Sequence, residues 1–263
     1  MKLIIKEDAD RTRGERLRQI LKADSGAVLQ EAGSSVYEIP GTDPAPDEPV
    51  LELSAEGLSL KRGDLALTCD FTDHLSRLKK SNLEHEMLLK AVRIKDRKDL
   101  YVLDAAAGLG TDALILAAAG HAVDLYEKDP VIAALLEDGF IRAEKDERLK
   151  PLLGRMRVFP EDSLPAMEKS CGRYQVIYLD PMFPERTKQA AVKKKFQLLH
   201  DLEKPCENEE EMFMAAVRAK PLKIVVKRPV KGAFLAGKKP DHSFRGKAVR
   251  YDCYINIGRL LSD

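Results

Sequence analysis

The 263-residue sequence has no long apolar run, and this absence limits what class of protein it can be. No stretch approaches the roughly 18 consecutive apolar residues that a membrane-spanning helix requires. The N-terminus also lacks the pattern of a secretory signal peptide. With 44% hydrophobic and 33% charged residues, the composition is ordinary for a soluble globular protein. The length fits one sizeable domain with a smaller unit beside it.

Cysteine and histidine are scarce and scattered along the chain. There are four cysteines and five histidines, and neither set shows the spacing of a metal site. The cysteines stand far apart, at Cys69, Cys171, Cys206 and Cys253. We therefore expect a reduced, cytoplasmic protein that needs no structural metal.

Charge is nearly balanced over the whole chain, at +1, but it is unevenly distributed. Residues 181–263 carry 18 basic and 10 acidic side chains, a net charge of +8. Residues 1–90 and 91–180 are net acidic, at −4 and −3. A basic C-terminal third suggests a face for a polyanion such as RNA, although solvated surface lysines explain the charge equally well.

Residues 1–68 are predicted to form a small N-terminal α+β unit. Alternating apolar and polar residues around a turn at Ala55-Glu56-Gly57 predict a β-hairpin, and a Gly, Ser and Pro-rich stretch predicts a loop. The predicted segments are strand Met1–Lys6, helix Arg11–Leu21, loop Gly33–Pro49 and hairpin strands Val50–Leu53 and Leu58–Lys61. No residue of this unit is visibly catalytic.

Residues 69–98 are predicted to be a basic linker and helix. Arg77, Lys79 and Lys80 precede a helical pattern over Glu84–Ile94. The basic cluster stands just before the main domain, where it would cover a cofactor or grip a phosphate backbone. An exposed helix face is the alternative interpretation.

Residues 99–263 alternate strands with helices, which predicts an α/β domain with a mostly parallel sheet. The predicted strands are Leu100–Asp104, Val123–Glu127, Met156–Phe159, Gln175–Asp180 and Lys223–Lys227. The predicted helices are Ala113–Ala119, Pro130–Glu144, Ala190–His200 and Glu209–Lys220. Segments His242–Gly246 and Val249–Ile257 predict an antiparallel hairpin at the edge of the sheet.

The turn after the first of these strands predicts a nucleotide-like pocket. It contains Gly108 and Gly110 and opens a helix, so its backbone can approach a ligand and the helix offers unpaired N–H groups. Gly108-Leu-Gly110-Thr111-Asp112-Ala113 satisfies the dinucleotide pattern G-x-G-x-x-G/A, with Glu127 about 20 residues on. This match is weak, because alanine in the third position is permissive.

Three acidic residues at successive strand ends favour S-adenosylmethionine over a dinucleotide. Asp104 stands at the first strand tip, where it can meet the cationic amino acid end of the cofactor. Glu127 can accept both ribose hydroxyls, and Asp162 can accept the adenine amino group. Each acid alone is explained equally well as a helix cap or loop carboxylate. Together they lie where open sheets bind ligands.

The segment Asp180-Pro181-Met182-Phe183-Pro184 follows the most apolar strand. It resembles the Asp/Asn-Pro-Pro-Tyr/Phe signature of methyltransferases that act on amino nitrogens. An aryl amine is a poor nucleophile because its lone pair is delocalised into the ring. Asp180 and the Pro181 carbonyl can accept its two N–H hydrogens, and Phe183 can stack on the base and hold it in line. These three are the candidate catalytic residues.

Over residues 58–260 the sequence resembles the ribosomal RNA small subunit methyltransferase J family. The resemblance rests on the motifs at Asp104–Ala113, Tyr126–Gly139, Val176–Pro184 and Val225–Pro229. It implies a class I (Rossmann-like) fold and transfer of a methyl group from S-adenosyl-L-methionine to the exocyclic N2 of guanine 1516 in 16S rRNA. The cofactor contacts that it implies are Thr111, Asp112, Glu127, Lys128, Asp162, Ser163 and Asp180.

Basic side chains after the fourth and fifth strands are candidate contacts to RNA, by way of phosphate groups that position it. They are Lys193, Lys194, Lys195, Lys227 and Arg228. For Lys227 and Arg228, capping the strand end is an equally simple role. Two alternatives to the guanine-N2 methyltransferase stay open. One is an amino-methyltransferase acting on another guanine or adenine in RNA or DNA; the other is a non-catalytic nucleotide-binding or RNA-binding protein.

Overall fold

The computed structural model describes residues 2–5, 11–23, 30–31, 36–38, 49–181, 198 and 208–261. They form two β-sheets, one of six strands and one of seven. Within these ranges no helix is long and apolar enough to cross a membrane.

The N-terminal sheet contains the first six strands, in the order β2-β3-β1-β4-β5-β6. Its elements are β1 (Lys2–Ile5), α1 (Arg11–Ala23), β2 (Gln30–Glu31), β3 (Val36–Glu38), β4 (Val50–Leu53), β5 (Leu58–Arg62) and β6 (Leu65–Leu67). The predicted first strand, helix and hairpin are confirmed. The loop prediction for 33–49 is wrong at β3, which pairs antiparallel with β1. A three-residue strand between turn-forming residues is too short to give an alternating pattern, and β6 escaped prediction for the same reason.

The linker contains a 3₁₀ turn at Phe71–His74 and two short helices, α2 (Lys80–Leu83) and α3 (Met87–Val92). The predicted single helix over 84–94 is therefore wrong in its first turn. Glu86 has extended backbone, with ψ at 119°. Its carboxylate accepts two hydrogen bonds from the Arg77 guanidinium, at 2.5 and 2.8 Å. This ion pair holds the chain at the point where a continuous helix would run.

The second sheet has the order β12-β13-β11-β10-β7-β8-β9. Its strands are β7 (Tyr101–Asp104), β8 (Ala122–Tyr126), β9 (Met156–Phe159), β10 (Val176–Leu179), β11 (Lys223–Pro229), β12 (His242–Arg245) and β13 (Val249–Tyr254). The described helices are α4 (Thr111–Ala118), α5 (Pro130–Ala143), α6 (Lys150–Leu153), α7 (Ser163–Lys169), α8 (Glu209–Arg218) and α9 (Ile257–Leu260). Strands β7 to β11 are parallel, and β12 and β13 are antiparallel at one edge. The predicted mostly parallel sheet with an edge hairpin is confirmed; the predicted helix at 190–200 falls almost wholly outside the described residues.

Strand order reverses between β7 and β10, and this reversal opens a crevice at their C-terminal ends. All four residues of β10 are buried, as its apolar sequence predicts for a central strand. The following helices begin where the sequence supplies caps. Asp129 accepts hydrogen bonds from Val131 and Ile132 at the start of α5, next to a proline in its first turn. Because β7, β8 and β10 are parallel neighbours, the acidic residues at their C-terminal ends lie along the same edge of the sheet.

A buried carboxylate on α5 ties the two sheets together. Asp138, fully buried, forms an ion pair with Arg13 of α1. It also accepts hydrogen bonds at 2.9 Å from the Leu58 backbone N–H and from Arg142 Nε. One apolar core runs through the N-terminal unit, the linker and one face of the second sheet. The sequence-based division of the chain at residues 68 and 98 stays a prediction, and the three segments share this core.

Replacing Asp138 with alanine is expected to lower the free energy of unfolding by about 3–5 kcal/mol, because it leaves two arginines facing a buried site without their counter-charge. Urea-induced unfolding measures the loss. The matched control is Glu147→Ala, which removes an 87%-exposed carboxylate whose lysine partner is itself 63% exposed and should cost less than about 0.5 kcal/mol. Equal losses in the two variants would mean that Asp138 does not hold the sheets together.

Candidate functional site

The loop after β7 has a backbone that suits glycine and is held in place by Glu127. Gly108 and Gly110 have left-handed φ angles of 54° and 73°. The Gly108 N–H donates to Glu127 Oε2 at 2.9 Å, and the Asp129 N–H donates to Glu127 Oε1 at 2.8 Å. The side chain that ends β8 therefore fixes both the glycine loop and the start of α5.

Glu127 is 9% exposed and keeps acceptor capacity toward the crevice. Burial raises the pKa of its carboxyl group, while the N–H groups of Asp129 and Gly108 oppose that rise. Each carboxylate oxygen has a second lone pair beyond the one that the backbone uses. A pair of neighbouring hydroxyls, such as those of a ribose, could donate to these two acceptor oxygens, and the predicted ribose role of Glu127 stays a prediction.

Three carboxylates meet at the crevice around one ammonium group. Lys227, from β11, donates from Nζ to Asp112 Oδ2 and to Asp180 Oδ2, both at 2.8 Å. Tyr178 O–H donates to the same Asp112 oxygen at 2.7 Å. Asp104, 1% exposed at the end of β7, completes the group. We call Asp104, Asp112, Asp180 and Lys227 the rim cluster.

The three carboxyl groups of the rim cluster respond differently to their surroundings. Burial raises the pKa of Asp104 well above its ordinary value, and the charges of Asp112 and Asp180 add to the rise. Burial also raises the pKa of Asp180; Lys227 opposes this rise and Asp112 adds to it. For Asp112 the effect of burial is outweighed by Lys227 and by the Tyr178 hydrogen bond, so its pKa is lowered.

Lys227 keeps its proton in this setting. Burial alone would lower the pKa of its ammonium group, but the two carboxylates that it contacts raise that pKa above its ordinary value. With one cation among three acids, the rim cluster has room for a second positive charge. Over the described ranges no group of His, Cys, Asp and Glu side chains is arranged to hold a metal ion.

The segment before α2 packs on the glycine loop, and the roles predicted for the basic cluster that follows it stay predictions. Cys69 Sγ lies 3.5 Å from the Leu109 carbonyl oxygen, and His74 Nε2 lies 3.4 Å from Thr111 Oγ1. The Phe71 ring packs against Gly110. Sequence reasoning missed these individual contacts, because nothing local in Cys69–His74 indicates what it packs against.

Beyond Glu127 lie an aromatic pair, which packs on one face of the sheet, and the predicted adenine contacts. Tyr126 and Phe159 end β8 and β9 and stack with ring centroids 4.7 Å apart and an interplanar angle of 9°. Asp162 caps α7 by accepting the Leu164 N–H at 2.8 Å. Ser163 is buried in the first turn of α7, and Lys128 is exposed. Cofactor contacts by these three residues stay predictions.

Of the segment Asp180–Pro184, which is predicted to hold the methyl acceptor, the structure describes only Asp180 and Pro181. Asp180 has 31% of its side chain exposed, and Pro181 behind it is buried. Phe183 lies outside the described residues, as do Lys193, Lys194 and Lys195. The roles assigned to them stay predictions.

Arg228 faces away from the rim cluster. It is 5% exposed and donates to Glu209 Oε1 at 3.0 Å and to the Ala233 carbonyl at 2.8 Å. Burial lowers the pKa of its guanidinium, although Glu209 opposes that shift. A contact with RNA would require Arg228 to leave this ion pair, and the predicted contact stays a prediction.

Lys227 and Tyr178 are the described site residues whose roles the sequence did not reveal. The sequence is compatible with Lys227 as an RNA contact or as a strand cap, and it indicates no role for Tyr178. The register pairs Leu179 with Val226, which sets Asp180 beside Lys227 at the ends of two parallel strands. Tyr178 stands two residues before Asp180, so the alternation of a strand turns it toward the same face.

Comparison with known proteins gives consistent results. The sequence model of a family described as "Putative SAM-dependent methyltransferase" matches residues 42–256. Ribosomal RNA small subunit methyltransferase J of Nitrosococcus oceani is 40% identical over 211 residues, which are 78% of this chain and 83% of the relative. The protein of the same name from Thioalkalivibrio sulfidiphilus is 42% identical over 177 residues, 66% of this chain and 69% of the relative.

A solved structure covers nearly the whole chain. The crystal structure of a SAM-dependent methyltransferase from Neisseria gonorrhoeae superposes with a TM-score of 0.71 and 26% identity. The match covers 96% of this chain and 95% of that one. The predicted Rossmann-like class I fold is thereby confirmed.

Replacing each of the two loop glycines with alanine should show which of them is packed against the core and which faces open space. A Cβ at Gly110 would lie 2.8 Å from Leu136 Cδ1, inside the core, and 3.3 Å from Phe71 Cζ. We expect Gly110→Ala to lower the free energy of unfolding by about 2–4 kcal/mol, from overpacking and left-handed strain together. Gly108→Ala meets no protein atom within 4 Å and should cost only about 1–2 kcal/mol. Urea unfolding compares the two, and equal losses would contradict the packing of Leu136 and Phe71 on Gly110.

Proposed function

The chain belongs to the family of SAM-dependent methyltransferases that includes ribosomal RNA small subunit methyltransferase J, and we propose that it methylates the exocyclic N2 of a guanine in 16S rRNA. By resemblance the target is guanine 1516. The observation that carries the proposal is the rim cluster, which gathers three carboxylates and one lysine where β7 and β10 end. The identity to relatives named for ribosomal RNA supplies the substrate class.

The residues present fit S-adenosylmethionine. Its methionine end carries an ammonium, a sulfonium and a carboxylate. The two cationic groups suit the rim cluster, because the pKa values of Asp104 and Asp180 are raised by burial and by neighbouring carboxylates and are lowered by positive charge. Asp104 and Asp112 would hold the amino group, Glu127 the ribose hydroxyls and Asp162 the adenine amino group, with Thr111, Lys128 and Ser163 beside them. When bound, the cofactor supplies an electrophilic methyl group on a sulfur that leaves readily as a neutral thioether.

Asp180 and Pro181 orient the acceptor nitrogen. The Asp180 carboxylate and the Pro181 carbonyl accept its two N–H hydrogens, so that its lone pair points at the methyl carbon. The nitrogen would take up the methyl group that the bound cofactor supplies, and the neutral thioether would be the leaving group. The nitrogen then loses one proton to Asp180, which passes it to solvent. Positioning of this kind supplies much of the rate enhancement, so no covalent intermediate with the protein is needed.

The partly exposed Asp180 lets an unstacked base reach the site from solvent. A guanine in RNA must be splayed out of its stack to present N2 there, and Phe183 would stack on it. Phosphate contacts by Lys193, Lys194 and Lys195 would position the strand. A ribosomal RNA substrate places the reaction in the cytoplasm.

Mapping of the methylated base tests the function directly. Small subunits, and separately naked 16S rRNA, from a strain that lacks the gene are incubated with the protein and labelled S-adenosylmethionine. The label is expected on N2 of a single guanine. Label on adenine, on another guanine or on no RNA would overturn the proposed target. Thermal stabilisation by NAD and not by S-adenosylhomocysteine would overturn the proposed cofactor.

Asp180→Ala should abolish transfer and spare the cofactor. We expect kcat at saturating RNA to fall about 100-fold or more, because the amino group loses an acceptor that orients it. S-adenosylhomocysteine binding, measured by calorimetry, should be nearly unchanged. Asp180→Asn keeps one acceptor oxygen and should retain part of the activity. Turnover at the wild-type rate in Asp180→Ala would exclude the role given to this carboxylate.

Glu127→Gln should weaken cofactor binding and spare turnover, which is the reverse of the effect expected for Asp180→Ala. The amide NH₂ would face the backbone N–H of Gly108 or Asp129, so the loop loses a charged acceptor. We expect the Kd for S-adenosylhomocysteine to rise about 10–100-fold, with kcat at saturating cofactor little affected. Glu144→Gln, an exposed change just after α5, is the matched control. An unchanged Kd in Glu127→Gln would remove Glu127 from the cofactor site.

A further inference from the structure

Lys227 connects the two halves of the proposed site. Asp112 stands in the first turn of α4, on the side of the glycine loop, and Asp180 follows β10, on the side of the acceptor. The ammonium group lies 2.8 Å from an oxygen of each. Its side chain is 25% exposed, and those of Asp112 and Asp180 are 14% and 31% exposed. The bridge is thus partly shielded from water, where ion pairs are screened less than at an open surface.

We propose that Lys227 is a positioning residue of methyl transfer, which holds the Asp180 carboxylate in place by bridging it to Asp112 and favours its ionised form through its own positive charge. This inference rests on the proposed function. Tyr178 strengthens the anchor from the other side, because its hydroxyl donates to the Asp112 oxygen that Lys227 also contacts. The carboxylate is therefore fixed through a chain of three hydrogen bonds that begins in the strand before it.

The proposed reaction requires an ionised Asp180, which explains why a cation beside it would matter. Asp180 must be ionised to take up the proton that the nitrogen loses, and an ionised carboxylate is also the stronger hydrogen-bond acceptor. Its surroundings, however, favour the protonated form. Within the described residues, the ionisable groups around it come from five different parts of the chain. They are Asp104, Asp112, Tyr178, Lys227 and Tyr251, with Arg77 beyond Asp112. Lys227 is the cation that contacts Asp180 directly, and it opposes the like charge of Asp112.

A role for Lys227 in gripping RNA phosphate is the competing interpretation. Both carboxylate contacts would have to break before its ammonium group reached a phosphate. The two roles differ in what they change. A phosphate contact acts on RNA affinity and its dependence on salt, whereas a positioning residue acts on kcat and on its pH profile.

The test compares Lys227→Met, which removes the charge, with Lys227→Arg, which keeps it. For Lys227→Met we expect kcat at saturating RNA and neutral pH to fall about 100-fold, and the acid limb of the pH–rate profile to move to higher pH. Lys227→Arg should recover most of the rate. Lys98→Met, which removes an exposed lysine just before β7 at the opposite end of the sheet, should leave rate and profile unchanged.

Asp112→Asn should move the acid limb of the pH–rate profile to lower pH, opposite to the shift in Lys227→Met. It removes the like charge that raises the pKa of Asp180 and leaves Lys227 beside that carboxylate. At saturating cofactor, the limb is expected at lower pH than in the wild type. Opposite shifts in Lys227→Met and Asp112→Asn are not produced by a merely structural role. This variant and Lys227→Arg also keep the inference testable if Lys227→Met proves unfolded in a thermal melt.

A titration without substrate separates this inference from the proposed function. Carbon-13 NMR of the aspartate carboxyls, with Asp180 assigned from Asp180→Asn, follows its ionisation in the wild type and in Lys227→Met. A higher pKa for Asp180 in Lys227→Met is expected whichever nucleic acid is methylated. An unchanged pKa, or a loss confined to RNA affinity with kcat intact, overturns the positioning role. Failure of the wild type to label rRNA overturns the proposed function alone.

Discussion

The crowding of carboxylates at the ends of parallel strands is the constraint on which the site depends. Parallel strands bring their C-terminal residues to one edge, and here β7 and β10 deliver Asp104 and Asp180 while α4 adds Asp112. Like charges this close and partly dehydrated repel one another, and burial alone favours their protonated forms. One ammonium group offsets part of that repulsion, and a cationic ligand would offset the rest. The same excess of acid that is costly to the free protein is what suits the crevice to S-adenosylmethionine.

The sequence was sufficient to predict the parts of this arrangement that depend on local pattern. A buried strand that ends in an acid has a recognisable local pattern, so the sequence alone predicts that Asp104, Glu127 and Asp180 stand at strand ends. Which side chain lies beside which depends on register between distant strands, and no local signal carries it. Lys227 lies beside Asp180 because Val226 pairs with Leu179. The role of Lys227 therefore remained undecided between an RNA contact and a strand cap.

The segments that the sequence described least well are also held by contacts of long range. The linker has no helix at Glu86, because Arg77 holds that residue in an extended conformation nine positions away. The pairing of Arg13 with Asp138 spans 125 residues, which no periodicity reveals. Both arginines form ion pairs with carboxylates that are partly or fully buried. A buried charge without a partner would be strongly unfavourable. These ion pairs add to the apolar core that the segments share with the main sheet.

A continuous path of contacts leads from the N-terminal unit to Glu127 and the glycine loop. Arg13 of α1 holds Asp138 near the middle of α5, and the first turn of α5 is capped by Asp129. The backbone N–H of Asp129 donates to Glu127, whose other oxygen accepts the Gly108 N–H. A helix transmits displacement along its axis because its backbone hydrogen bonds make it stiff, so a shift of α1 against α5 would alter the glycine loop. The small unit thereby supports the geometry of the loop, although none of its described residues forms part of that loop. The acceptor side depends instead on β10, β11 and Lys227.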